Sequence, residues 1–128
     1  MSLADLRAQF LADETTANDV STQAGKAIDS LGSNASASAL AAAAAPIVTG
    51  GQADLAQLQH LPWPTNMTAD AKALEGDVAR YIELVQSARN AKVSSDATWN
   101  HAASVVATLR LATNKLRHDL GLPSITSP

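Results

Sequence analysis

The sequence predicts an all-α fold, an antiparallel up-down-up-down four-helix bundle whose second helix is kinked or broken near Pro46 to Gly51. Three observations predict it. The apolar fraction is ordinary at 46%, but alanine makes up a large share of it and the aromatics are limited to Phe10, Trp63, Tyr81 and Trp99. Alanine loses no side-chain entropy in a helix and leucine little, whereas strands lean on β-branched and aromatic residues. Apolar residues also recur at three- and four-residue spacing in four separate stretches. Between those stretches lie residues that cap or break helices. At 128 residues the chain suits one core, so 1–128 is taken as a single domain.

The first stretch runs from Leu3 to Leu31, with Leu6, Phe10, Ala17, Val20, Ala24 and Ile28 on one face. Gly32 suits the left-handed position that ends a helix, and Ser33-Asn34 can cap the next. The second stretch, Ala35 to Leu61, places Leu40, Ala44, Ile47, Leu55 and Leu58 on one face but contains Pro46 and Gly50-Gly51. Proline removes a backbone donor and clashes with the preceding turn, which predicts a kink or break between Ala45 and Gln52. A flexible linker here, leaving three helices, is the competing reading. The Ala41 to Ala45 run lets a neighbour approach closely.

Leu61-Pro62-Trp63-Pro64-Thr65-Asn66 cannot continue a helix, because each proline pushes its predecessor into extended conformation. Thr68 is the expected N-cap of the third helix, with Asp70 in its first turn and Ala71, Leu74, Val78, Tyr81, Val85 and Ala88 along its stripe. Ser94 or Ser95 caps the fourth, with Asp96 near its positive end. Its stripe is Trp99, Ala102, Val106, Leu109, Thr113, Leu116 and Leu120. Gly121 then fits the left-handed position, Leu122 folds back onto Leu116 or Arg117, and Pro123 prevents continuation. Residues 124–128 are expected to fray, and residues 1–3 read as a cloning leader on a trimmed, mature form. Short connections make sequential helices antiparallel, which puts the Pro62 to Thr65 loop at the same end as both termini.

Charge and composition exclude several classes. Net charge is −3 and the nine basic residues are scattered, which argues against nucleic-acid binding. The early chain is acidic, with Asp5, Asp13, Glu14, Asp19 and Asp29 outnumbering Arg7 and Lys26. Arg110, Lys115 and Arg117 gather where cations stabilise a helix C-terminus. Without cysteine there is no disulfide, thiolate metal site or cysteine nucleophile. No stretch reaches the ~18 to 20 apolar residues of a membrane span, and no basic segment followed by an apolar core marks an export signal.

The segment Leu109 to Pro123 resembles the closing helix of small exported helical-bundle domains, often lipoproteins, of high-GC Gram-positive bacteria. Leu116-Arg117, Asp119-Leu120-Gly121-Leu122-Pro123 and the upstream Trp99 carry the likeness, which covers about a fifth of the chain. The resemblance implies a bundle in the cell envelope or secreted, with no established activity. The lipid-anchoring cysteine of such proteins has no counterpart in this sequence.

Candidate sites are few. Di-metal bundles need Glu-x-x-His pairs, and the residues three before His60, His101 and His118 are Gln57, Thr98 and Lys115, which argues against a ferritin-like oxidase. His60 and His118 fall towards one end of the predicted bundle with Asp5 and Asp119 nearby. A shared zinc ion is one reading and solvated or carbonyl-bonded histidines the other, preferred one. His101 lies off its stripe and lacks the Lys-Gly pair that follows a phosphotransfer histidine, which favours a surface role. Asp13 and Glu14 interrupt the first stripe, so either a base such as Arg80 or Arg89 reaches them or both are exposed, the favoured outcome. Gly25 and Gly76 are expected to mark close helix contacts. Trp63, between two prolines, either displays a ring to a partner or plugs the core, with the plug preferred. The expected function is a non-enzymatic interaction or binding module without a cofactor, acting outside the cytoplasm on a protein or small-molecule partner. A ligand- or metal-binding sensor near Trp63, His60 and His118 is the alternative.

Overall fold

Ser2 opens the first helix by accepting the Asp5 N–H at 3.1 Å on its hydroxyl, so the residue expected to belong to a leader is the N-cap of α1, Leu3–Ser30. The structure is a computed structural model; it describes residues 1–32, 35–90 and 96–125, the side chains of residues 89, 90 and 96–103 excepted. Three further helices follow: α2 at Ala37–His60, α3 at Thr68–Asn90 and α4 at Asp96–Asp119. They form an all-α four-helix bundle, with no strand among the described residues.

The stops follow the predicted chemistry. Gly32 and Gly121 have φ of +75° and +73°, the left-handed region that glycine enters without strain. After α4 the Leu122 N–H donates to the Arg117 carbonyl at 2.7 Å and the Gly121 N–H to the His118 carbonyl at 3.0 Å, the two bonds of a Schellman ending. The starts differ more. Ser36 caps α2 through the Ala39 N–H at 3.1 Å, whereas the expected caps Ser33-Asn34 and Ser94-Ser95 lie outside the described residues. Thr68 is not an N-cap. A 3-10 turn at Thr65–Met67 winds straight into α3, leaving Thr68 already helical (φ −60°, ψ −41°) with its hydroxyl donating to the Pro64 carbonyl. That turn buries Met67.

Of the two outcomes expected near Pro46, a break does not occur: α2 is continuous through Pro46, Gly50 and Gly51. The glycines are packing residues. A Cβ on Gly50 would sit 2.8 Å from Val20 Cγ1 of α1, and one on Gly51 would sit 2.8 Å from Ile82 Cγ1 of α3. Their missing side chains draw α2 against both neighbours. Among the described residues nothing stands near Gly25 or Gly76, which were expected at close contacts.

The start of α1, the end of α4 and the α2–α3 loop share one end. Arg7 Nε donates to the Leu120 carbonyl at 2.8 Å, and the Trp63 ring meets Phe10 edge-on with centroids 6.0 Å apart. Around this contact Leu6, Leu58, Leu61, Met67, Leu116 and Leu120 are all buried. Ile125, inside the tail expected to fray, is held at both backbone groups by Asn114, whose Nδ2 donates to its carbonyl and whose Oδ1 accepts its N–H.

Helix α1 packs closely on α2, α2 on α3 and α3 on α4. Among the described residues, α1 and α4 make no comparable approach. Long side chains bridge this fourth seam, Arg7 to Leu120 and Arg117 to Glu14. The open seam explains a misplaced stripe. Val106 is 38% exposed and its neighbour Val105 is buried, because α4 turns its 105–112–116 edge to α3 and leaves Val106 on the side facing the gap.

Candidate functional site

Where the seam fails to close, the bundle contains a cleft of about 590 Å³. Its apolar wall includes Phe10, Leu58, Leu74 and Val78. Every helix adds polar groups: Asp13 and Glu14 from α1, Asp54 from α2, Tyr81 from α3, and Arg110 and Thr113 from α4.

The carboxyls are the unusual feature. Asp13 is 9% exposed and Glu14 is half-buried, so the exposure expected for both is corrected. The reason lies in register. Asp13 follows Phe10 by three positions and precedes Ala17 by four, which sets it on the inward stripe of α1. A base does reach Glu14, but it is Arg117 of α4 and neither of the two expected: its Nη1 donates to Glu14 Oε1, and its Nε donates to the Pro123 carbonyl at 2.6 Å. Arg80 is exposed, and the Arg89 side chain lies outside the described residues. Glu14 Oε2 is buried and accepts no hydrogen bond among the described residues.

Asp54 meets Asp13 across the α1–α2 interface. Burial, the hydrogen bond to Asp13, and the charges of Asp13 and then Glu14 push Asp54 up to about 8. At neutral pH it keeps its proton and donates it to the Asp13 carboxylate. Two ionised carboxylates in contact would repel each other. Burial also raises Glu14, against the charge and hydrogen bond of Arg117, and raises the Tyr81 hydroxyl. Among the described residues Arg110 forms no ion pair.

The residues expected to form a site lie elsewhere. His60, the last residue of α2, and His118, in the last turn of α4, are exposed at the end where α4 stops. Among the described residues no three histidine, aspartate or glutamate side chains could hold a metal ion. Asp119 instead turns to Asp70 of α3. Their hydrogen bond, with burial and the Asp70 charge, raises Asp119 despite the opposing charges of His118 and Lys115. Trp63 is half-buried; its Nε1 donates to the Leu58 carbonyl at 2.9 Å, occupying a carbonyl in the last turn of α2. The side chains of Trp99 and His101 lie outside the described residues.

Comparison with family models, curated proteins and solved structures finds no match. Asp54, Tyr81 and Arg110 were not legible as a set, although one signal was present: Asp54 lies seven residues after Ile47 and four before Leu58, a core position carrying a carboxyl.

Proposed function

We propose that this chain is a non-enzymatic binding module that takes a small amphipathic molecule into the cleft at the α1–α4 seam. The observation that carries the reading is a mixed polar and apolar cleft to which all four helices contribute. Its volume of about 590 Å³ matches small-molecule sites, which combine a mostly apolar wall with a few converging polar groups. Four helices contribute those groups, so a bound molecule would tie α1 to α4 where the protein itself leaves them apart.

The test is amide shift mapping with a library of small aromatic and aliphatic fragments. Binding fragments should move the Val78, Tyr81 and Thr113 signals in the wild-type chain and not in Ala17→Trp, whose indole would occupy the cleft. Shifts confined to the surface, or shifts indifferent to the tryptophan, would remove the reading.

We further place the module in the cell envelope or secreted, on the resemblance of its closing helix to exported bundles. No described helix is long and apolar enough to cross a membrane. Fractionating cells that express the full gene product checks the placement, which recovery from the cytosol alone would overturn.

A further inference from the structure

Resting on the reading of the cleft as a ligand site, we infer that residues 122–125 are a strap that gates it: Ile125 stands in the α1–α4 opening as an internal competitor, and a ligand enters when Asn114 releases it. The inference starts from which parts of the cleft wall can move. Of the described residues that line the cleft, all but Ile125 belong to one of the four helices, and shifting any of those means unpacking a helix. Ile125 lies beyond the stop of α4 and is held from the side.

That attachment is local and polar. The Schellman ending turns the chain back, with the Leu122 N–H on the Arg117 carbonyl and Leu122 packed on the core. Arg117 Nε then donates to the Pro123 carbonyl at 2.6 Å, while Nη1 of the same guanidinium pairs with Glu14 of α1. One side chain therefore joins α4, the strap and α1 beside the seam that the helices leave open. The Arg117 and Glu14 side chains are covered despite that open seam, at 12% and 15% exposed. One turn back along α4, Asn114 grips Ile125 at both backbone groups: Nδ2 donates to its carbonyl at 3.2 Å, and Oδ1 accepts its N–H at 2.8 Å. So held, Ile125 completes the cleft wall with Glu14, Arg110 and Thr113.

Release of the strap asks little of the rest of the fold. Pro123 and Ser124 are exposed and Ile125 is half-buried, so departure uncovers little hydrocarbon, and water can take over the partners of Asn114. Segments with few buried contacts open locally while the core stays folded. In the closed state Ile125 occupies space at the opening that the apolar body of a ligand would use. Ligand and Ile125 exclude one another, and the measured affinity is that of the open state scaled by its population.

The experiment uses the whole chain, which has no cysteine, so Thr113→Cys places a single thiol in the cleft wall one position before Asn114. Its rate of labelling by N-ethylmaleimide reads how often the strap is open. Adding Asn114→Ala removes both bonds to Ile125 while keeping a helix-forming residue, and should speed labelling at least about fivefold. Lys115→Ala, at the exposed position next to Asn114, should leave the rate unchanged. Without the thiol, Asn114→Ala should tighten the binding of neutral probes by a similar factor, followed by NMR at Val78 and Tyr81 with 2-phenylethanol, cyclohexanol and 1-hexanol. An unchanged labelling rate, equal acceleration by Lys115→Ala, or probe binding that is unchanged or weaker in Asn114→Ala would overturn the strap and leave the cleft reading standing. If none of the three probes moves Val78 or Tyr81 in either chain, both readings fall.

Discussion

The two halves of this bundle solve the same packing problem in opposite ways. At the end where α1 begins and α4 stops, Leu6, Leu61, Met67, Leu116 and Leu120 are buried together, and the half-buried Trp63 ring packs edge-on against Phe10. About one turn beyond Phe10 and Leu58, the inward positions of α1 and α2 carry Asp13 and Asp54, and α4 stands off from α1 across the cleft. One end hides hydrocarbon from water, and the middle hides a shared proton. Stability should therefore concentrate at the end and ligand response in the middle, and substitutions in each place should break or sharpen that contrast.

The largest effect belongs to the end where α4 stops. Leu116 is completely buried, so Leu116→Ala should cost about 3–4 kcal/mol from lost transfer energy and the cavity left behind, a fall in Tm of more than about 10 °C by calorimetry. A small effect would mean that this end can collapse around a vacancy. Trp63→Ala should come next, at about 2–3 kcal/mol, since the ring is only half-buried. Trp63→Phe, which keeps the edge contact with Phe10 but loses the bond to the Leu58 carbonyl, should cost about 1 kcal/mol. If Trp63→Ala leaves Tm unchanged, the ring is no plug.

The sequence made the first of these regions legible and left the second mostly hidden. Helix-forming composition and three-to-four spacing marked all four helices, and Gly121-Leu122-Pro123 specified a stop through local bonds alone. Spacing did not say how close two helices come. Gly50-Gly51 has the composition of a break, yet in α2 it is what admits Val20 and Ile82, a fact held in the neighbours' side chains. Likewise the acids of α1 were visible as interruptions, but their outcome depended on Asp54 of α2 and Arg117 of α4, far away in the chain.

The third prediction has the opposite sign and tests the middle. Folded Asp54 holds a proton up to about pH 8, and in the unfolded chain it releases it near the ordinary aspartate value of 3.8. Its stabilising contribution is complete below that lower value and is lost as pH rises through about 8. Asparagine escapes this loss, because it is neutral at every pH and still offers an N–H to Asp13. Asp54→Asn should therefore raise Tm near pH 7.5 by roughly 3–5 °C, a gain kept small by partial exposure, and the gain should vanish towards about pH 4. A pH-independent gain would point to altered packing in place of a titrating carboxyl.

The smallest effect separates glycines that hold helices together from glycines that do not. Among the described residues nothing stands within 4 Å of a Cβ placed on Gly76, so Gly76→Ala should add about 0.5–1 kcal/mol by restricting the unfolded chain and improving helix propensity. At Gly50 the same change receives the same intrinsic benefit but drives a methyl to 2.8 Å from Val20 Cγ1, and α2 must shift away from α1. Overpacking of this kind costs about 1–3 kcal/mol, which outweighs the propensity gain and makes Gly50→Ala destabilising overall. Val20→Ala in the same chain should recover part of the loss by removing the clashing methyls. Because α2 carries Asp54, Gly50→Ala should also shift the midpoint at which Asp54 titrates, whereas Gly76→Ala should leave it in place. An unaltered midpoint in Gly50→Ala would show that the carboxyl pair does not depend on how closely α1 and α2 approach.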